Sequence, residues 1–174
     1  MSYIEKSIQI NVPVKAAYNQ WTQFEEFPRF MEGVKEVQQL DDTHLHWKAE
    51  IGGQEKEWNA EITEQIPDQR IAWTSVGGAW AGGTVTFDPV SDATSEVKLR
   101  LEYEPQGLIE NIGDAAGFVS RRVEGDLERF KEYIERRGQE TGAWRGTINT
   151  HDTSSTSENS SKPSTGPLPH PGLA

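Results

Sequence analysis

The chain has 174 residues, a formal net charge of -11 and no cysteine. The acidic excess disfavours binding to nucleic acids and anionic membranes, because their phosphate groups would repel the protein. The absence of cysteine excludes disulfides, thiolate nucleophiles and cysteine-bound zinc, and no apolar run reaches the ~18 residues of a membrane span. We therefore expect a cytoplasmic protein with neither a secretion signal nor stable membrane insertion.

The first 30 residues predict one strand and two short helices. Apolar and polar side chains alternate over residues 3–12, as in a half-buried strand. Pro13 suits the first turn of a helix, and the apolar residues of 14–24 recur at helical spacing. Pro28 interrupts this pattern, which favours two short helices separated by a bend.

Six further strands are predicted where apolar residues alternate with polar ones, at 34–40, 44–51, 58–66, 71–75, 85–87 and 97–103. The Gly52-Gly53 pair and other short turns between them indicate an antiparallel meander with one apolar and one charged face. The glycine-rich segment 77–83, with Trp80 at its centre, predicts a loop. This loop is either a lid over a ligand or an ordinary flexible hairpin connection.

Residues 108–137 predict the longest helix, with apolar residues recurring every three or four positions along one stripe. Its second part, 123–134, carries bulky apolar residues and is expected to anchor the helix on the sheet. Its first part, 108–119, contains Gly113 and Gly117, which indicate either a flexible cavity wall or close approach of helix to strand. The predicted fold class is α+β, with a curved sheet wrapped around this helix.

Large aromatic side chains from the strands and short helices are expected to face small residues of the long helix. They either line an apolar cavity or simply fill the core. The cavity hypothesis predicts a ligand-binding set that consists of Trp21, Phe24, Phe30, Trp47, Trp58, Trp73, Trp80, Phe87, Tyr103, Ile112, Ala116 and Val119.

Other chemistry is weakly indicated. His44 and His46 point the same way from a strand, but their face is opposite to Trp47 and no third ligand is evident, so a surface pair is expected rather than a metal site. No catalytic residues are assigned and no cofactor is expected. The domain is predicted to span 1–147, and the Ser-, Thr- and Pro-rich residues 148–174 to form a disordered tail.

Several segments together resemble the START-like, helix-grip superfamily (SRPBCC), and within it the polyketide cyclase/dehydrase and coenzyme Q-binding START-domain branch. The resemblance is carried by Val12-Pro13-Val14 and by residues 24–31, 70–73, 85–89, 97–105 and 126–130. It implies a seven-stranded antiparallel sheet around the long helix, with two short helices after the first strand. It also implies an apolar cavity of the kind that holds quinones, lipids, plant hormones or polyketides.

These observations favour binding or transport of a small hydrophobic ligand by a protein that is non-catalytic or weakly catalytic. The first alternative is a cyclase or dehydratase, for which Tyr18, Tyr103 and Ser75 are the polar candidates on inward faces. The second alternative is a module that binds a protein partner through the charged sheet face or the tail. We expect a monomer or a weak dimer.

Overall fold

The computed structural model describes residues 2–77, 80–104 and 115–149. The chain begins with β1 (Ser2–Ile10), α1 (Val14–Trp21) and a 3-10 helix (Phe24–Arg29). The strands that follow are β2 (Val34–Gln39), β3 (His44–Ile51), β4 (Gln54–Ile66), β5 (Arg70–Val76), β6 (Ala81–Ser91) and β7 (Thr94–Tyr103). The described chain ends with the long helix α2 (Ala115–Arg137) and a short strand β8 (Ile148–Asn149).

The strands form one antiparallel sheet in the order β1-β7-β6-β5-β4-β3-β2, and β8 pairs with β4 beside this path. The seven long strands curl around α2, so the predicted α+β helix-grip architecture is confirmed. The sheet buries its concave face under α2, while the opposite face carries ion pairs such as Lys48–Glu55.

β6 differs from its predicted extent at both ends. It begins at Ala81 and continues to Ser91, so Gly83 belongs to a strand, paired with Leu101, rather than to the predicted loop 77–83. A Cβ atom at Gly83 would lie 2.5 Å from the Trp73 ring. The glycine therefore makes room for an indole on the neighbouring strand, which is one recognised role of glycine inside a sheet.

A β-bulge in β4 corrects another prediction. The pairing with β5 shifts between Ile62 and Glu64, so one extra residue enters the strand. Beyond the bulge, Gln65 is the buried side chain, with 1% exposure, whereas unbroken alternation from Trp58 would place Ile66 on the apolar face. A strict alternation cannot foresee such an insertion.

The second part of α2 is packed against the sheet, as its bulky residues predicted. Its buried apolar residues are Val123, Leu127, Phe130 and Ile134. The Phe130 ring lies 5.0 Å from that of Trp21 in an edge-to-face contact. The two short helices contribute Trp21, Phe24 and Phe27 to this packed end of the molecule.

Residues 138–149, here called the strap, cross α1 after the long helix ends. Thr141 exchanges two hydrogen bonds with the Gln20 side chain, and the Trp144 amide donates to Thr22 Oγ1. Arg145 donates to Asn19 Oδ1 and to Asp68. The strap thus explains why polar residues of α1 are buried. It ends in β8, which lies just beyond residue 147, the predicted end of the domain. Residues 150–174, most of the predicted tail, lie outside the described residues.

Candidate ligand-binding cavity

A cavity of about 820 Å³ lies between the concave face of the sheet and the first part of α2. Its sheet side is walled by Trp47, Trp58 and Trp73, which come from the neighbouring strands β3, β4 and β5. Its helix side is walled by Phe118 and Val119. Since strand residues two apart face the same side, the alternating pattern of the sequence delivers these rings to one surface.

Two of the indoles form a stacked pair. Trp47 and Trp58 are directly opposite each other in the register of β3 and β4. Their ring centroids lie 5.8 Å apart with an angle of 7° between the planes. The Trp73 ring fits against β6 because Gly83 has no side chain. The cavity wall therefore includes two parallel aromatic rings, which suit an apolar and extended or planar ligand.

The structure brings together seven of the residues proposed from the sequence. These are Trp21, Phe24, Trp47, Trp58, Trp73, Tyr103 and Val119, all of which line the cavity. Phe30 and Phe87 lie elsewhere, in the packed core: Phe30 contacts Phe130, and Phe87 contacts Tyr18. Helical and strand spacing identified both as buried but could not distinguish a filled part of the core from a hollow one.

Three further candidates do not lie in the described cavity wall. The Trp80 ring is half-buried and covers Gly82 beside the wall residues Ala81 and Gly82. Ala116 is exposed on α2, and Ile112 lies outside the described residues. The expectations that Trp80 belongs to a lid over a ligand and that the first part of the helix, 108–119, is a flexible cavity wall therefore stay predictions.

One side of the cavity is closed by the segment 30–33, which is bonded to α2. Arg129 Nε donates to the Phe30 carbonyl over 2.9 Å, and Arg122 donates to the Glu32 carbonyl over 2.6 Å. The Glu32 amide donates to Asp126 Oδ1 over 3.0 Å. Burial raises the pKa of Asp126, although its hydrogen bond from Arg129 opposes that effect.

Gly33 makes this closure possible. Its φ of +84° lies in the left-handed region, and a Cβ atom there would collide with the Arg122 guanidinium group. The same guanidinium lies over the Phe118 ring, with 5.0 Å between its central carbon and the ring centroid. Arg122 is thereby held between the segment 30–33 and the cavity wall.

Lys56 is a cavity residue that our interpretation of the sequence missed. It lies opposite Ala49 in the β3–β4 register and two residues before Trp58, so it shares the concave face with both. It is half-buried and lines the cavity. The alternation that includes Trp58 and Ala60 extends back to Lys56, and it could have identified this residue. The predicted strand nevertheless begins at residue 58.

The three polar residues named as inward candidates lie in different places. Tyr103 lines it, and burial raises the pKa of its phenol, which therefore stays protonated at neutral pH. Ser75 also lines it, and its hydroxyl accepts a hydrogen bond from the Ala81 amide over 2.9 Å. Tyr18 is in the packed core beside Gln65, and burial raises its pKa as well. Of the three polar candidates, two therefore line the cavity.

The two strand histidines bond to neighbours on their own surface. His44 bonds to Asp41, and His46 bonds to Asn59 and Glu57, contacts that raise the pKa of His46. Among the described residues, no three metal-binding side chains converge. Nor does any helix within those ranges combine the length and apolar character required to cross a lipid bilayer.

Comparison with known sequences yields a family and a relative. The family described as "Polyketide cyclase / dehydrase and lipid transport" matches residues 10–132. An uncharacterized 17.2 kDa protein of Streptomyces lincolnensis is 54% identical over 149 residues, which cover 85% of this chain and 99% of that protein.

Solved structures show the same fold. A protein of Deinococcus radiodurans has a TM-score of 0.63 at 29% identity, over 79% of this chain and 99% of its own. The Zhui aromatase/cyclase of a Streptomyces species has a TM-score of 0.67 at 13% identity, over 82% and 99% of the two chains. A START superfamily protein of Mycobacterium smegmatis has a TM-score of 0.62 at 14% identity, over 78% and 95%. At the lower identities the likeness concerns the fold alone.

Proposed function

Since this chain belongs to the polyketide cyclase / dehydrase and lipid transport family, we propose that its cavity binds a small hydrophobic ligand such as a quinone, a lipid or a polyketide-like molecule. The observation that carries the proposal is the cavity of about 820 Å³ with its wall of three indoles. Ligand sites typically occupy ~300–1,000 Å³ and are lined mainly by apolar and aromatic groups. A drug-sized apolar molecule therefore fits this space.

The driving force for binding is burial of apolar surface. Each Å² of apolar area removed from water contributes about 25 cal/mol, and stacking on an aromatic ring adds to it. The stacked Trp47–Trp58 pair is already ordered against its neighbours. Little side-chain freedom is lost when a ligand contacts it, so more of the burial energy is retained as affinity.

Tryptophan fluorescence tests the proposal directly. The protein is titrated with a naphthoquinone, with palmitate and with a flavonoid, and saturable quenching or a spectral shift is expected for at least one of them. Trp58→Phe should reduce the response, whereas Trp144→Phe, in the strap, should retain it. Native mass spectrometry of freshly purified protein should show a co-purified small molecule. If no probe binds and no molecule co-purifies, the proposal fails.

A second function, cyclisation or dehydration of a polyketide-like ligand, is favoured by Tyr103 together with the family. Such reactions need a proton donor close to the ligand, and a buried protonated phenol in the cavity wall can act as one. Tyr103→Phe removes only the hydroxyl. We expect this variant to retain ligand binding while losing turnover of a poly-β-ketone mimic by at least ~100-fold. Equal turnover by both proteins would reject a role for Tyr103.

A further inference from the structure

The end of the cavity beside the segment 30–33 carries two cationic side chains on opposite walls. Arg122 extends from α2, and Lys56 extends from the concave face of β4. Nothing in an apolar binding site requires a cation, and the chain as a whole is strongly acidic, with a net charge of -11. Two inward cations at one end therefore call for an explanation.

The acidic groups at this end are already engaged by another residue. Asp126 accepts hydrogen bonds from Arg129 and from the Glu32 amide. The Glu32 carboxylate lies 3.6 Å from Arg129. Arg129 is thus the close ion-pair partner of both carboxylates, whereas Arg122 acts on Asp126 through charge attraction at longer range.

Arg122 and Lys56 have N–H groups that can donate to a ligand. Arg122 donates through one nitrogen to the neutral carbonyl of Glu32, which does not compensate its charge. Lys56 forms no ion pair within residues 2–77, 80–104 and 115–149. By contrast, Lys48 on the outer face of the sheet lies 3.1 Å from Glu55, and Lys35 lies 3.8 Å from Glu50. Outer lysines near this end are paired, whereas the inner one is not.

The register shows that the two cations belong to the same end. Val34, Ala49 and Lys56 form one row across β2, β3 and β4. The guanidinium group of Arg122 lies against Gly33, the residue before that row, and the Gly33 carbonyl accepts from the Glu50 amide over 2.7 Å. Neighbouring strands are ~4.8 Å apart, so both flexible side chains can reach one ligand group.

We propose that the ligand is an amphipathic acid whose carboxylate, phenolate or sulfonate group binds Arg122 and Lys56. Its apolar body then lies along the indoles of Trp47, Trp58 and Trp73. An anion enters a partly buried site only if charged donors replace its water, and these two side chains supply them. This inference rests on the proposed function, since it specifies which apolar molecules the cavity accepts.

A matched pair of fluorescent probes tests the inference. The first, 1-anilinonaphthalene-8-sulfonate, carries a sulfonate, and the second, N-phenyl-1-naphthylamine, has the same ring system without it. We expect the wild-type protein to bind the sulfonate at least ~10-fold more tightly. Lys56→Gln and Arg122→Gln should each remove most of that preference, measured as the ratio of the two dissociation constants. Lys48→Gln, on the outer face, is the matched control and should retain the preference.

The possible outcomes separate this inference from the proposed function. If neither probe binds the wild-type protein, the hydrophobic cavity function itself is in error. If both bind equally well, or if the preference survives in the Lys56→Gln variant, only the acidic head group is rejected. Should Arg122→Gln weaken both probes because it loosens the segment 30–33, the Lys56→Gln variant still decides, because Lys56 makes no ion pair there.

Discussion

The two ends of the space between sheet and helix differ although they are built from the same kinds of residue. At the packed end, Trp21 and Phe130 meet edge to face, and Phe130 has no exposed surface. At the hollow end, Trp47, Trp58 and Trp73 line a cavity of about 820 Å³. Both ends contain aromatic rings on the concave face of one curved sheet. Aromatic content alone therefore does not decide whether a core is filled.

The difference arises from what the rest of the chain places opposite the rings. At the packed end, α1 and the 3-10 helix insert Trp21, Phe24 and Phe27 between the sheet and α2. At the hollow end, α2 contributes Phe118 and Val119, and Trp21, Phe24 and Phe27 line the cavity without filling it. The short helices thus fill the space at one end and leave space for a ligand at the other.

Phe130→Ala should produce the largest loss of stability, because it creates a void where the protein is fully packed. We expect the free energy of unfolding to fall by about 3–5 kcal/mol, with ligand binding unchanged in the molecules that remain folded. Urea denaturation followed by circular dichroism measures the change. The matched variant is Phe118→Ala in the cavity wall, which should cost much less. Equal losses would contradict the comparison between the two ends.

Gly83→Ala should narrow the cavity. The added Cβ would lie 2.5 Å from the Trp73 ring and 2.9 Å from Leu101 Cδ2, so one of them must move. Overpacking of this kind typically costs about 1–3 kcal/mol. Thermal denaturation gives the stability, and titration with a bulky quinone should show weaker binding. Gly53→Ala tests the turn glycine, whose Cβ would meet nothing within 4 Å but whose φ is +82°. That variant should lose stability without losing affinity.

Trp58→Ala should alter binding more than stability. The residue is half-buried, and its ring stacks on that of Trp47. Loss of that stacking costs about 0.5–1.5 kcal/mol beyond the lost burial, while the ligand loses part of its wall. Isothermal titration and urea denaturation on the same sample separate the two effects. An unchanged affinity would mean that the ligand does not contact the stacked pair.

Asp41→Asn, in the turn between β2 and β3, should change the pH dependence of the free energy of unfolding at a position remote from the cavity. The Thr43 amide and, next in effect, the His44 ring bond to the Asp41 carboxylate and hold its pKa at about 2, below the usual 3.8. The ionised form therefore stabilises the folded state above about pH 4, and this contribution is lost as the pH falls towards 2. The stability gap between wild type and variant should close over that window, as measured by urea denaturation. A gap independent of pH would contradict it.

Much of the architecture could be predicted from local patterns. Alternation located the strands, and the three- and four-residue spacing of 123–134 located the anchored part of α2, since these periods reflect backbone geometry directly. The bulge that buries Gln65 in place of Ile66 was missed, because an inserted residue leaves no periodic signal. The strap was missed too, because its contacts with α1 are polar and distant in sequence.

The candidate site was only partly predictable for a related reason. The alternating pattern predicts which face of a strand a ring occupies. It does not predict which part of that face the two short helices cover. Phe87 and Trp73 both lie on predicted inward faces, yet only Trp73 lines the cavity. Lys56 shows the opposite error, because the predicted strand begins at residue 58, whereas β4 begins at Gln54 and includes Lys56 at an inward position.

The strap has a consequence for the order in which the protein folds. Asn19, Gln20 and Thr22 are buried at 3%, 0% and 2% exposure, and the residues that satisfy them lie 121–126 positions later. Until the strap forms these hydrogen bonds, the polar side chains of α1 can bond to water but cannot be buried without losing their partners. Contacts of such long sequence separation slow folding, because a large loop must close before they form. In a newly made chain, the polar face of α1 can therefore be buried only after nearly all of the domain has been synthesised.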